Sequence, residues 1–133
     1  MSRKPSKKTL KKKCDELWSK LIRQRAGNKC EYCGKSDGKI DAHHILSRRH
    51  FSVRWNLENG VALCRYHHQF FAHEDPVAFT EWLKTVKGNE VIDALIYEAN
   101  QPAVRIPYKE VLELLKKGKV FSIIEGEIKI WEV

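Results

Sequence analysis

The chain has 133 residues, enough for one globular domain and too few for two comfortable ones. Its 42% hydrophobic and 10% aromatic content is that of a folded protein, and no apolar run nears the ~18 residues of a membrane span. The net charge of +8 sits wholly in residues 1–28, where ten Lys/Arg face only Asp15 and Glu16, while the rest of the chain balances.

That asymmetry is the pattern of a basic arm for a polyanion, and by itself it does not separate DNA from RNA or an acidic membrane. The basic start also lacks the apolar stretch of a secretory signal, so an intracellular, cytoplasmic protein is expected. Residues 1–8 (MSRKPSKK) read as a mobile basic tail. Over 9–26, Leu10, Cys14, Leu17 and Leu21 recur at helical spacing, widened by Trp18 and Ile22, with lysines and arginines opposite. Gly27 and Asn28 end this helix (9–28 as a segment).

Residues 29–74 read as a compact unit of short elements. CEYCG is a tight knuckle, KIDAHHI (39–45) a strand, and LSRRHFSVRW (46–55) a loop rich in Arg and His. A second short strand or loop over 58–63 leads into Cys64, and a helix is expected from Arg65 through Phe71. Residues 75–133 read as a mainly helical extension. Asp75-Pro76 starts one helix and Gly88 closes it, a second covers 90–99, and a third runs from Pro107 to Gly118. A terminal β-hairpin turns at Glu125-Gly126. The expected class is therefore α+β, a single domain over 9–133.

All six histidines (His43, His44, His50, His67, His68, His73) fall within 31 residues, and with Cys30, Cys33 and Cys64 they concentrate the chemistry between Cys30 and His73. Cys30-x2-Cys33 and Cys64-x2-His67, separated by 30 residues, are two turns that can wrap one tetrahedral Zn²⁺. His68 competes with His67 for the fourth position. Cys14 lies on the apolar helical face, where packing is the expected role.

CEYCG, DAHHI, ENGVALC and CRYHH together resemble the HNH (His-Me finger, ββα-metal) endonucleases over residues 30–73. The run HHILSRRHFSVRWNLENGVALC further resembles phage-encoded recombination nucleases that act on branched DNA, which would place the protein in a phage's host cell. The resemblance implies a core of two short strands and a helix gripping a catalytic cation, beside a structural zinc. It implies His44 as general base, His43 and His68 as ligands of a divalent ion (Mg²⁺, Mn²⁺ or another), and Asn59 as the residue that orients His44 and ties the loop. It also implies 5′-phosphate and 3′-hydroxyl products. One difficulty stands in the way. Neighbours in a regular strand point to opposite faces, so His43 and His44 share a site only if the strand ends or bends there. Asn56 rivals Asn59, more as a turn residue. His73, five positions past His68, lies about 140° round an α-helix from it and joins the site only if the helix ends early.

Arg48, Arg49, His50 and Arg54, with Lys11, Lys12 and Lys13 of the leading helix, form the expected phosphate-tracking surface, so DNA is the expected partner. Trp18, Trp55 and Trp82 are expected in the core. Two other readings compete: a non-catalytic zinc-finger DNA-binding module, which leaves His43, His44, Asn59 and His68 without a task, and an RNA-directed nuclease using the same site. Oligomeric state, a homodimer included, is open at this level.

Overall fold

The apolar stripe of the leading segment folds as helix α1 (Lys7–Arg25), whose buried face carries Leu10, Cys14, Trp18 and Ile22 in this computed structural model of residues 4–132. It begins two residues before the hydrophobic periodicity does. Ser6 explains this, since its hydroxyl accepts from the Thr9 amide at 3.1 Å and satisfies one open N–H of the first turn. Of the expected tail over 1–8, residues 1–3 lie outside the described residues.

Strand β1 (Ile40–His44) pairs antiparallel with β2 (Gly60–Cys64), in the register Ile40↔Cys64 to His44↔Gly60. All five residues of β2 are buried. Its second edge is occupied by the cysteine knuckle: Glu31 N–H donates to the Ala62 carbonyl at 2.8 Å, and the Ala62 amide returns a 2.7 Å bond to the Glu31 carboxylate. Among the described residues the sheet has two strands, so the second edge of β1 is left without a strand partner.

Gly60 lets α1 settle closely on this ribbon. A Cβ there would stand 2.6 Å from both Ile22 Cδ1 and Trp18 Cζ2. The chain then enters α2 (Arg65–His67), which continues as a π-helical turn over His68–His73. Three helices follow: α3 (Pro76–Lys87), α4 (Asn89–Ala99) and α5 (Tyr108–Lys116). Asp75 holds the cap position of α3 without a side-chain cap bond. The expected hairpin is present as β3 (Phe121–Ile124) with β4 (Glu127–Ile130), turning through Glu125 and Gly126 at φ 53° and 83°. The fold is mixed α+β. Among the described residues, no helix is long and apolar enough to cross a membrane.

One core joins these parts. Trp18 and Ile22 of α1, Val61 and Leu63 of β2, Phe79 and Leu83 of α3, Leu115 of α5 and Phe121 of β3 pack into it. The C-terminal third also props the long loop between β1 and β2. Ile123 N–H donates to the Ser52 carbonyl, the Ser52 hydroxyl to Gln101, and the Asn56 amide to Ser122, all at 2.8–2.9 Å. Glu98, 2% exposed, takes Lys129 at 2.6 Å and the Trp131 indole at 2.8 Å, which fastens the terminal hairpin to α4.

Candidate metal centre and cleft

Two Cys/His clusters are built from the β1–β2 ribbon, the helix after it and, for the first, the Cys30–Cys33 knuckle. In the first, Cys30, Cys33, Cys64 and His67 each bring a ligand atom within 4.8 Å of the others. Cys64 Sγ stands 3.2 Å from His67 Nδ1, and the Cys30 Sγ–His67 Nδ1 and Cys33 Sγ–Cys64 Sγ distances are both 3.9 Å. Zn–S bonds of about 2.3 Å at tetrahedral angles put neighbouring ligand atoms about 3.8 Å apart, so this set fits zinc. Gly34, at φ 77°, lets the chain double back so that its amide meets the Cys30 carbonyl at 2.8 Å. Burial pushes the Cys30 thiol up, but bonds from the Cys33, Cys64 and Tyr32 amides outweigh it and lower its pKa, whereas the Lys35 amide bond at Cys33 is outweighed by burial and the neighbouring Cys30 and Cys64 thiols, which raise it. Tyr32 covers the cluster, its ring 4.7 Å from His67 and 4.4 Å from Phe71. Trp82 lies against Tyr32 and is half-buried rather than sealed in the core. The competition between His67 and His68 is resolved by geometry, with His67 beside the sulfurs and His68 facing elsewhere.

The second cluster is His43, His68 and His73, whose donor atoms also fall within 4.8 Å of one another. His43 comes from β1, and the other two from the π-helical turn. An α-helix would separate positions 68 and 73 by about 140°. The π-turn, with its i→i+5 spacing, brings them onto one side, with ring centroids 4.8 Å apart. Entry of His73 thus needs no early helix end. It needs the wider turn.

The strand runs on through His44, so His43 and His44 do leave on opposite faces. They nonetheless line one cleft of about 420 Å³, together with Trp18, Arg48, His68 and His73. The open edge of β1 explains how. His43 reaches the cleft from the π-turn side, 4.9 Å from His68, while His44 reaches it from the α1 side, stacked on Trp18 at 3.8 Å.

His44 Nε2 lies 3.0 Å from the Arg54 carbonyl. A carbonyl only accepts, so Nε2 carries the proton and Nδ1 keeps a lone pair. Burial pulls His44 down to about 4, with Arg54 and Arg48 adding to the shift, against the Arg54 carbonyl bond and Asp15. Burial also takes His43 down to about 3, helped by repulsion from His68, His73 and His44. Both rings are neutral at pH 7.

Several expected roles need correction. Asn59 is fully buried and does tie the loop, accepting from Leu46 N–H at 2.7 Å and donating to the Leu46 and Val53 carbonyls at 3.0 Å. It does not bond His44; the Arg54 carbonyl holds that ring. Asn56 caps the turn at Glu58, as a turn residue should. Arg54 is not a free phosphate ligand. It is 7% exposed, grips Asp15 through two bonds of 3.0 and 2.7 Å, and lies over the Phe51 and Trp55 rings. A charge so buried is held by its partner carboxylate. His50 is spent likewise, its Nδ1–H donating to the Ala99 carbonyl at 3.2 Å.

Arg48 and Arg49 remain exposed, and Arg48 lines the cleft. On α1 the cleft is lined by Asp15, Trp18 and Ser19. Lys11 lies one turn before Asp15, its ammonium 5.0 Å over Phe51, and Lys12 lies beside it, 4.0 Å from Glu16. Lys13 is about 200° round the helix from Lys11 and faces away. Trp18 and Trp55 are buried, their indole N–H groups bonded to Asn56 O and Asp15. Cys14 is buried too, and desolvation pushes its thiol up to about 12, which suits packing.

Two residues to which the sequence assigns no role complete the site. Asp15 anchors Arg54 and Trp55, and Asp41 accepts from His68 Nδ1 at 3.0 Å. Asp41 was legible, being two positions before His43 and so on the same face of a strand. Asp15, a lone acid among lysines, carried no such signal.

Comparison with family models, with curated proteins and with solved structures found no match. The reading of function rests on the residues themselves. Zinc at the cysteine cluster would leave it no free ligand position, whereas three imidazoles facing a cleft leave positions open to water and substrate.

Proposed function

We propose that the chain is a metal-dependent DNA endonuclease of the HNH type, with zinc held by Cys30, Cys33, Cys64 and His67 as a structural element. The observation that carries this reading is the meeting, in one cleft, of a neutral His44 with a free Nδ1 and the three-imidazole cluster. A zinc-finger module would need neither.

His43, His68 and His73 would hold the divalent ion. When bound there, it supplies Lewis-acid stabilisation of charge on the scissile phosphate and on the leaving 3′ oxygen. The donor set favours Mn²⁺, Ni²⁺ or Zn²⁺ over Mg²⁺, because three neutral imidazoles suit a transition metal better than an oxygen-seeking ion. His44 takes the proton from the attacking water at Nδ1. Burial keeps that nitrogen unprotonated at neutral pH, and the Arg54 carbonyl and Asp15 stabilise the imidazolium that forms. Trp18 fixes the ring plane by stacking, and Asn59 fixes the loop that carries Arg54. Arg48 and Arg49, with Lys11 and Lys12 on the near side of α1, would position phosphates without reading bases.

The test is plasmid nicking in Mn²⁺, Ni²⁺, Zn²⁺ or Mg²⁺ by wild type and His44→Ala, each first shown to hold equal zinc. Cleavage by wild type, reduced by roughly 10²–10⁴-fold in the variant, is the expected result. Equal cleavage by both would remove His44 from the role of base. Binding without cleavage in any of the four metals would favour the DNA-binding module, and cutting confined to RNA would move the substrate.

A further inference from the structure

Asp41 faces His68, a member of the histidine cluster. On β1 it stands opposite Leu63, half-buried, and shares a strand face with His43. One carboxylate oxygen accepts from His68 Nδ1 at 3.0 Å, and the other lies 3.7 Å from Lys39 Nζ, an exposed side chain. A carboxylate accepts and never donates when ionised, so the bond places the His68 proton on Nδ1 and leaves the Nε2 lone pair free. Without such a partner, either ring nitrogen can carry the proton and the ring can rotate about its Cβ–Cγ bond.

Among the described residues, the other two rings of the cluster have no such partner. The His73 ring stands 5.3 Å from that of His43 and is exposed. His43 is held by packing, edge-on to Phe79 at 5.3 Å. Orientation of the cluster by hydrogen bonding is therefore concentrated in a single contact. A carboxylate behind a ligating imidazole fixes its tautomer, sets its direction and raises its basicity toward the metal.

We infer that Asp41 is a positioning residue for the divalent centre, locking His68 as the Nδ1–H tautomer so that Nε2 faces the ion. The inference rests on the metal-centre reading above and adds to it a residue that touches neither metal nor substrate. It separates Asp41 from a mere strand acid. Lys39, its other charged neighbour, has no part in the centre.

Mn²⁺ binding to protein carrying one equivalent of zinc, followed by loss of the free-ion electron paramagnetic resonance signal, reads the centre apart from the cysteine cluster. Asp41→Ala should weaken Mn²⁺ binding by roughly 10–100-fold. Asp41→Asn, which keeps an oxygen that accepts from Nδ1–H, should lose less, and Lys39→Ala should bind like wild type. Nitrogen NMR of the histidine rings in manganese-free wild type should show His68 as Nδ1–H, a measurement that needs no variant to fold. A wild-type His68 protonated at Nε2, or an Asp41→Ala protein with wild-type affinity, would overturn the positioning role while leaving the metal centre standing. Wild type that takes up no Mn²⁺, with His73→Ala behaving identically, would overturn the centre itself and this role with it.

Discussion

The cysteine cluster and the histidine cluster share the same ribbon and the same following helix, yet they are built to opposite ends. The first draws its ligands from two tight turns and is capped by Tyr32, with Cys30 and Cys64 at 2% and 3% exposure. Its four ligands would complete a tetrahedron. The second offers three imidazoles, faces a cleft, and has His44 on the far side of the same strand. The difference teaches what each can do. A complete ligand set contributes folding energy and excludes chemistry, while an incomplete one contributes little to folding and leaves room for a reactant.

The contrast is broken most forcefully by removing a ligand from the closed cluster. Cys64→Ala, or chelation of zinc, should abolish cooperative thermal unfolding, since metal binding in such small units supplies on the order of 10 kcal/mol. Circular dichroism melts with metal analysis would check it, and an unchanged melt would show that the core folds without zinc. The matching change in the open cluster, His68→Ala, should leave zinc content and the melt near wild type. It should cut metal-dependent cleavage by about 10²-fold or more in the same plasmid assay.

A smaller effect sharpens the electrostatic side. His44 has its folded pKa lowered to about 4 from 6.5, so the unfolded chain binds the extra proton first as the pH falls. The associated stability is fully present above about 6.5 and is lost as the pH falls through about 4, amounting to on the order of 3 kcal/mol. Urea unfolding of wild type and His44→Asn between pH 7 and 4 should converge toward acid. Parallel curves would show that His44 is not held neutral by the fold. Gly60→Ala comes next. Its Cβ would meet two buried side chains at 2.6 Å, and overpacking of this kind costs about 1–3 kcal/mol. The same change should displace Trp18 from beneath His44, so the drop in cleavage should exceed what the loss of stability explains. Last, Arg48→Ala should reduce the salt dependence of DNA affinity by about one unit of slope, whereas Lys13→Ala should leave it unchanged.

Much of this was legible beforehand because the patterns involved are local. CxxC and CxxH spacing states which ligands can share a turn, and apolar periodicity places α1, α3, α4 and α5 to within a few residues. The hairpin announced itself through Glu125-Gly126. What stayed hidden depends on contacts distant in sequence or on a departure from ideal geometry. His73 could not be placed by a 3.6-residue period, because the turn that carries it is wider. Arg54 reads as a phosphate ligand from sequence because its partner, Asp15, lies 39 residues away on α1 while Arg54 sits in the loop. Asn59 was assigned two tasks and performs the one its buried side chain can reach.

The wide turn at His68–His73 bears on how such a site changes by heredity. A π-turn is what remains when a single residue is inserted into an α-helix. Deleting one codon between His68 and His73, at Gln69 for instance, would restore the ordinary register and set the two histidines four positions apart, about one α-helical turn. Both would still share a helix face, but everything after them would rotate by about 100° and shift by about 1.5 Å. Phe79 and Leu83 of α3 would then have to repack. The histidine pair would survive such a deletion more easily than the core behind it, so the length of this turn is guarded by α3 rather than by the spacing of the imidazoles.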